Sequence, residues 1–260
     1  MPSEALQGVM RPQWPAPANV SALMSTRAGG VSAAPWHSCN LGDAVGDDPA
    51  AVAENRARFT AALGAVPAWL RQVHGTRVLR VSLADARATA QVPPEADAAV
   101  TSERGVACVV QVADCLPVLF AALNGRTVGA AHAGWRGLAG GVLENTLSEL
   151  CAAAQCAPQD VVAWLGPCIG PAQFEVGADV LRGFGVDPAA GDPAFVSRPR
   201  DDGSARWLAD LPALARRRLE MAGLRQISGG QWCTAADASR FFSFRRDRVT
   251  GRQAAAVWLG

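Results

Sequence analysis

Cys115 and His132 stand in two short motifs, Ala113-Asp114-Cys115-Leu116-Pro117 and Ala131-His132-Ala133-Gly134-Trp135-Arg136-Gly137. Each follows an apolar run, 106–112 and 127–131, that reads as a strand. A thiol and an imidazole therefore sit just past two strand ends, where a rigid support meets solvent and α/β folds place reactive groups. The third such group is His74, in Gln72-Val73-His74-Gly75, beside another expected strand. A thiolate and two neutral imidazoles suit Zn²⁺ and leave a fourth position for water or substrate. The three are far apart along the chain, which argues against a small zinc finger and fits a site assembled across strand ends. Gln72 and Asp114 are polar neighbours able to orient such ligands. Spacing equally allows Cys115 and His132 to act without metal, as a thiolate–imidazolium nucleophilic pair.

Other candidates are less specific. Arg27 opens a glycine-containing turn and carries the planar donor fork that grips phosphate or carboxylate. Four glycines (134, 137, 140 and 141) and Arg136 lie between an expected strand and helix. Amides at a helix start attract anions, but the spacing matches neither a Walker loop nor a dinucleotide fingerprint. Tight packing is the other reading of those glycines. His37, the remaining histidine, reads as a loop residue, and Arg216-Arg217-Arg218 as a solvated helix face.

The elements that must position these groups follow from patterning. A strand is expected over 20–25, then a helix capped by Asp48-Pro49 and ended by Gly64. Strands over 69–73 and 77–81 flank His74, and 89–95 is a loop. Four apolar runs, 98–101, 106–112, 117–123 and 127–131, read as strands, with Asn124-Gly125 marking a hairpin. A helix over 138–154 places Val142, Leu143, Leu147 and Leu150 on one face. A strand over 161–165 precedes the rigid loop Gly166-Pro167-Cys168-Ile169-Gly170-Pro171, a short helix over 176–184 and a surface excursion over 187–206. A helix from Asp210 to Met221 and strands near 224–227 and 254–259 complete the chain. Strands and helices mix without strict alternation, so the expected class is α+β: a single domain of mixed β-sheets flanked by helices over 19–260, after an N-terminal extension of 1–18.

Composition narrows the function classes. The 260 residues are 50% apolar and 18% charged, a globular balance. Lys+Arg 24 against Asp+Glu 23 gives no general pull toward nucleic acid or an anionic membrane. No apolar stretch approaches the roughly 20 residues of a membrane-spanning helix, and no signal-peptide pattern is visible. Seven scattered cysteines read as free thiols of a reducing cytoplasm. A monomer is expected.

Taken in order, Ser25-Thr26-Arg27-Ala28-Gly29-Gly30-Val31-Ser32, Asn40-Leu41-Gly42, Gln72-Val73-His74-Gly75, the Cys115 and His132 motifs, the 166–171 loop and Phe241-Phe242-Ser243-Phe244-Arg245-Arg246-Asp247 resemble the YfiH family. This is the laccase-domain or multicopper polyphenol oxidoreductase family, described as purine nucleoside phosphorylases. The resemblance runs from about residue 20 to the C-terminus. It implies a fold like the cytotoxic necrotizing factor catalytic domain and a zinc site at His74, Cys115 and His132, the same three groups reached above. It also implies phosphorolysis of adenosine, inosine, guanosine and methylthioadenosine, a transferase reaction, with hydrolytic adenosine deamination beside it. Arg27 is then a phosphate ligand, and Asn40, Asp114, Arg136 and Cys168 line the pocket. The chain departs from the family pattern at Ala172-Gln173-Phe174, where a Cys and a Tyr are common, and at Phe244, where Tyr is common. Copper is a possible metal, but a multicopper centre rests on many imidazoles and the chain has three histidines. A metal-free Cys115–His132 amidase or deamidase, and a noncatalytic cell-wall accessory protein, are the alternatives.

Overall fold

The computed structural model describes Leu6 and residues 8–260. β1 (Val20–Met24), β13 (Gln253–Leu259), β5 (Val106–Val112) and β2 (Val66–Ala68) form a four-stranded sheet in that order. β12 (Gln226–Gly229), β8 (Val161–Leu165), β6 (Leu116–Ala122), β7 (Val128–Ala133), β4 (Ala98–Thr101) and β3 (Val78–Arg80) form a six-stranded one. The two sheets stack. Val106, Cys108, Val110, Val112, Ala255 and Val257 of the first meet Ala99, Leu119, Ala121, Val128, Ala130 and Trp164 of the second in one buried cluster. The alternate residues Leu23, Val109 and Ala256 face outward onto Phe59 and Leu63 of α1 (Pro49–Leu63). On the other side, Val118, Phe120 and Ala131 of the six-stranded sheet pack on α4 (Val142–Ala154) and α6 (Leu211–Met221). Helix, sheet, sheet and helices make four layers.

That layering explains the apolar runs. Every residue of β6 and β7 is buried, because both faces of the central strands are covered, and such strands lose the in–out alternation of a half-exposed sheet. The β6–β7 hairpin turns at Asn124-Gly125, with Gly125 at φ 68°, a conformation that favours glycine. The caps are as expected: the Asp48 carboxylate accepts from Ala50 N, Gly64 ends α1 at φ 63°, and Asp210 accepts from Ala213 N.

Several elements differ from the sequence expectation. The 138–154 helix is two helices, α3 (Trp135–Gly140) and α4, broken at Gly141 with φ 103°. The 69–73 segment is not a strand; it forms one bridge, Arg71 to Glu95. A helix unmarked in the sequence reading, α2 (Leu83–Thr89), starts at a capping box between Ser82 and Asp85. Within 176–184, β9 (Glu175–Val176) precedes α5 (Ala178–Gly183). The 187–206 excursion carries β10 (Phe195–Ser197), which pairs with β11 (Trp207–Ala209) and through it with β9; Phe195 belongs to the core. The three arginines of α6 are not merely solvated. Arg216 donates to the Ile227 and Gly229 carbonyls, Arg217 pairs with Asp192 and Arg218 with Glu144. The final helix is the short α7 (Phe244–Asp247). Within the 1–18 segment, residues 1–5 and 7 lie outside the described residues; Met10 bridges Met24 through paired backbone hydrogen bonds of 2.8 Å, and Met10 and Trp14 pack on the inter-sheet core. No described helix is long and apolar enough to cross a membrane.

Candidate metal centre

Strand register brings two of the three candidate ligands together. Leu116 pairs with Ala133 and Pro117 with His132, so Cys115, one residue ahead of β6, lies diagonally across from His132 near the end of β7. Strand alternation puts Cys115 in the row of Leu119 and Ala121, and His132 in the row of Val128 and Ala130, both facing the four-stranded sheet. The third candidate arrives on the loop between β2 and β3. His74 Nε2 lies 3.7 Å from Cys115 Sγ, and the His74 and His132 rings meet edge to face at 4.8 Å between centroids. One donor atom from each of the three residues falls within 4.8 Å of the others. Two imidazole nitrogens and a sulfur converging at that spacing fit a tetrahedral metal with one open position.

The residue that organises this cluster is Asp97, which the sequence reading passed over. It directly precedes β4 and is fully buried. Its Oδ1 accepts from His132 Nδ1 at 2.8 Å and from His74 N at 2.9 Å, and its Oδ2 from Gly75 N at 2.7 Å and Val73 N at 3.2 Å. Three successive backbone N–H groups thus wrap one carboxylate, a nest that holds His74 at φ 60°. Because a carboxylate only accepts, His132 must donate from Nδ1, so in the neutral ring that a metal requires the lone pair lies on Nε2. Burial alone would raise the Asp97 pKa, but the His132 hydrogen bond and the nest outweigh it and hold the carboxyl below its ordinary value. A lone acid in the apolar run 96–100 is the sequence signal that could have found it, since a buried charge needs partners.

Without metal the cluster is an ion pair in character. Burial would push the Cys115 thiol up, but His132 and His74 outweigh it and bring it down to about 6. Burial likewise opposes the charge on His132, yet Cys115 and Asp97 lift it to about 9. A thiolate at neutral pH is the form that binds metal, and also the form that attacks carbon.

A cleft of about 420 Å³ opens over the three side chains. Gln72, Gln111, Arg71, Arg252 and Phe244 share its walls. Gln72 mimics a strand, donating to Gln111 O at 2.8 Å and accepting from Gln111 N at 2.7 Å, and so pins the His74 loop to β5. A larger surface groove of about 700 Å³ runs between 172–175 and 198–202. Its charges include the Arg200–Glu175 pair, and neither thiol nor imidazole faces it.

The structure does not bring the other sequence candidates to this cleft's walls. Asp114, at φ 94°, spends its carboxylate on Thr234 Oγ1 and Arg245 N, both at 2.6 Å, and so fixes the turn that presents Cys115. Asn40 is a buried brace: its Oδ1 accepts from Gly42 N and Arg252 N at 2.9 and 2.8 Å. Arg27 donates to the carbonyls of His37 and Ala238 and lies 3.1 Å from His37 Nε2. Arg136 is exposed and stacks on Trp135 at 4.5 Å. Cys168 is buried, and burial drives its thiol pKa well up.

The glycines of 133–141 admit the His74 loop. A Cβ on Gly134 would sit 2.6 Å from His74 Cδ2 and 3.1 Å from Cys115 Sγ, and one on Gly137 2.8 Å from Gly75 O. Gly134 has φ −65°, open to any residue, so Gly134→Ala tests contact alone. It should displace His74 and lower the metal-to-protein ratio in elemental analysis, with circular dichroism unchanged. A full metal complement in that variant would contradict the geometry.

Residues 21–260 match the family described as multi-copper polyphenol oxidoreductase laccase. The chain belongs to this family. Among its relatives is the Escherichia coli (strain K12) protein named purine nucleoside phosphorylase YfiH, 47% identical over 250 residues that cover 95% of this chain and 97% of the relative. The Pseudomonas aeruginosa protein named purine nucleoside phosphorylase PA4543 is also 47% identical, over 96% of this chain and 98% of its own length. The crystal structure of Neisseria meningitidis protein NMB0706 superposes with a TM-score of 0.87 at 44% identity, covering 97% of this chain and 99% of that one. The mixed α+β single domain is therefore the fold of the family, and the motifs around His74, Cys115 and His132 lie inside the matched region.

Proposed function

We propose that this chain is a purine nucleoside phosphorylase working at the His74–Cys115–His132 cluster, with Zn²⁺ as its metal and adenosine deamination as a second activity. The observation that carries this reading is the convergence of one thiol and two imidazoles in a cleft, in a chain 47% identical to named purine nucleoside phosphorylases. The substrates are adenosine, inosine, guanosine and methylthioadenosine, each with phosphate. Bound zinc would supply a Lewis acid at its open fourth position. The chain's own residues do the rest. Asp97 holds both histidines in ligating orientation, and Phe244, 47% exposed at the cleft, offers a face for a base or ribose. The donor set supports zinc over a multicopper centre. His37 sits against Arg27 instead, leaving two imidazoles in the cluster. Seven free cysteines support a reducing, cytoplasmic setting.

The low thiol pKa of Cys115 favours one second reading, a metal-free Cys–His hydrolase. Chromatography of adenosine incubations separates the possibilities. Adenine and ribose 1-phosphate appearing only with phosphate is the expected result; inosine without phosphate is the expected second product. Dialysis against a chelator should abolish both and zinc should restore them. Turnover that survives chelation but not thiol alkylation would replace this reading with the hydrolase.

A further inference from the structure

Two arginines line the cleft, and they differ. Arg71 is exposed and paired with Glu95 at 2.8 Å. Arg252, at the foot of β13, is half-buried and has no carboxylate within ion-pair distance among the described residues. Its position is built. Its backbone N–H donates to Asn40 Oδ1, and its Nη1 donates to the carbonyls of Thr250 and Gly251 at 3.2 and 3.1 Å. Gly42 makes room for its stem, since a Cβ there would stand 2.7 Å from Arg252 Cγ. These contacts tether one corner of the guanidinium and leave Nε and Nη2 without a protein partner among the described residues. Those two nitrogens form the edge that grips an oxyanion with paired hydrogen bonds. Burial lowers the Arg252 pKa, while the charges of Cys115 and Asp114 nearby raise it. Arg27 contrasts with it, because all three of its nitrogens already face protein atoms.

We propose that Arg252 binds the phosphate co-substrate beside the His74–Cys115–His132 cluster. The proposal rests on the phosphorylase reading and names its anion site. Held there, one oxygen of HPO₄²⁻ bonds to C1′ of the nucleoside as the C1′–N9 bond breaks. The electron pair of that bond leaves on the purine, and the phosphate proton ends there too. Base and ribose 1-phosphate are the products, and no further reactant is needed. Arg252 offsets phosphate charge and orients the attacking oxygen.

Steady-state kinetics on zinc-loaded protein, with adenosine and inorganic phosphate each varied, tests this. Arg252→Gln should raise the KM for phosphate by roughly 10- to 100-fold, the worth of a charge-assisted hydrogen bond, and Arg252→Lys should recover part of that loss. The KM for adenosine and the zinc content should stay unchanged. An unaltered phosphate KM in folded Arg252→Gln overturns the proposal, as does a rise confined to Arg27→Gln. Phenylglyoxal labelling of the wild-type protein gives a test without any variant: phosphate should shield Arg252, and equal labelling with and without phosphate would overturn its role. Should wild-type protein release no base from adenosine and phosphate, the phosphorylase reading fails separately. Calorimetric titration with inorganic phosphate then decides the anion site. Binding that is lost in Arg252→Gln upholds it, and binding that is equal or absent in both proteins removes it.

Discussion

Cys115→Ala protein should carry almost no zinc and should lose roughly 10³-fold or more of its adenosine phosphorolysis, the scale on which a catalytic metal lowers a barrier. The thiolate is the only anionic ligand in the trio, and it stands 3.7 Å from His74 Nε2 with its pKa drawn down to about 6 by two imidazoles. Removing it leaves two neutral nitrogens, one of them on an exposed loop, which cannot hold zinc against dilution. Elemental analysis and product chromatography read the two losses together. The fold itself should survive, because Cys115 is only partly buried at the cleft, and circular dichroism checks it. Stoichiometric zinc with full turnover in this variant would remove the cluster from the mechanism.

The second large effect belongs to a residue outside the trio. Asp97→Ala should cost about 3–5 kcal/mol of folding stability, the range for stripping one partner from a buried charged pair. It orphans His132 Nδ1 and the three N–H groups of the 73–75 turn at once. Asp97→Asn is the finer test. An amide keeps one acceptor oxygen but turns an NH₂ toward N–H donors, so half of the nest opposes it. Zinc affinity should fall about 10- to 100-fold, as it does when the group behind a ligating histidine is lost. Competition with a chromophoric chelator measures that, and denaturant unfolding measures the stability. Unchanged zinc affinity in Asp97→Asn would mean that His74 and His132 hold their places without it.

Much of the scaffold was legible from local signals. Asp48, Pro49 and Gly64 bound α1 because capping chemistry acts within a few residues. The runs that became β4 to β8 were visible because central strands buried on both faces need unbroken apolar sequence. The 69–73 segment misled for the same reason. Trp69 and Leu70 are apolar because they are buried, yet the backbone there is held by the Gln72 side chain rather than by a ladder. The break at Gly141 was masked by an apolar stripe that continues through both helices, Leu138 on one and Leu143 on the other.

Sequence alone placed the reactive groups: His74, Cys115 and His132 were identifiable from residue type and from the turns beside them, and Gln72 as a neighbour that steadies them. Arg27, Asn40, Asp114, Arg136 and Cys168 were equally identifiable as types, but the fold spends them on carbonyls, turns, a tryptophan face and the core. Asp97 carries only the mark of a lone acid in an apolar run and Arg252 carries none; the fold makes the first the hub of the cluster and sets the second in the cleft wall. The physical reason is range. Capping and patterning are settled by neighbours within a turn or two, whereas the meeting of a strand-end thiol, a strand-end imidazole and a loop imidazole depends on the β6–β7 register and on one carboxylate that joins β4 to a distant turn. Those are long-range contacts, and only the packed sheets decide them.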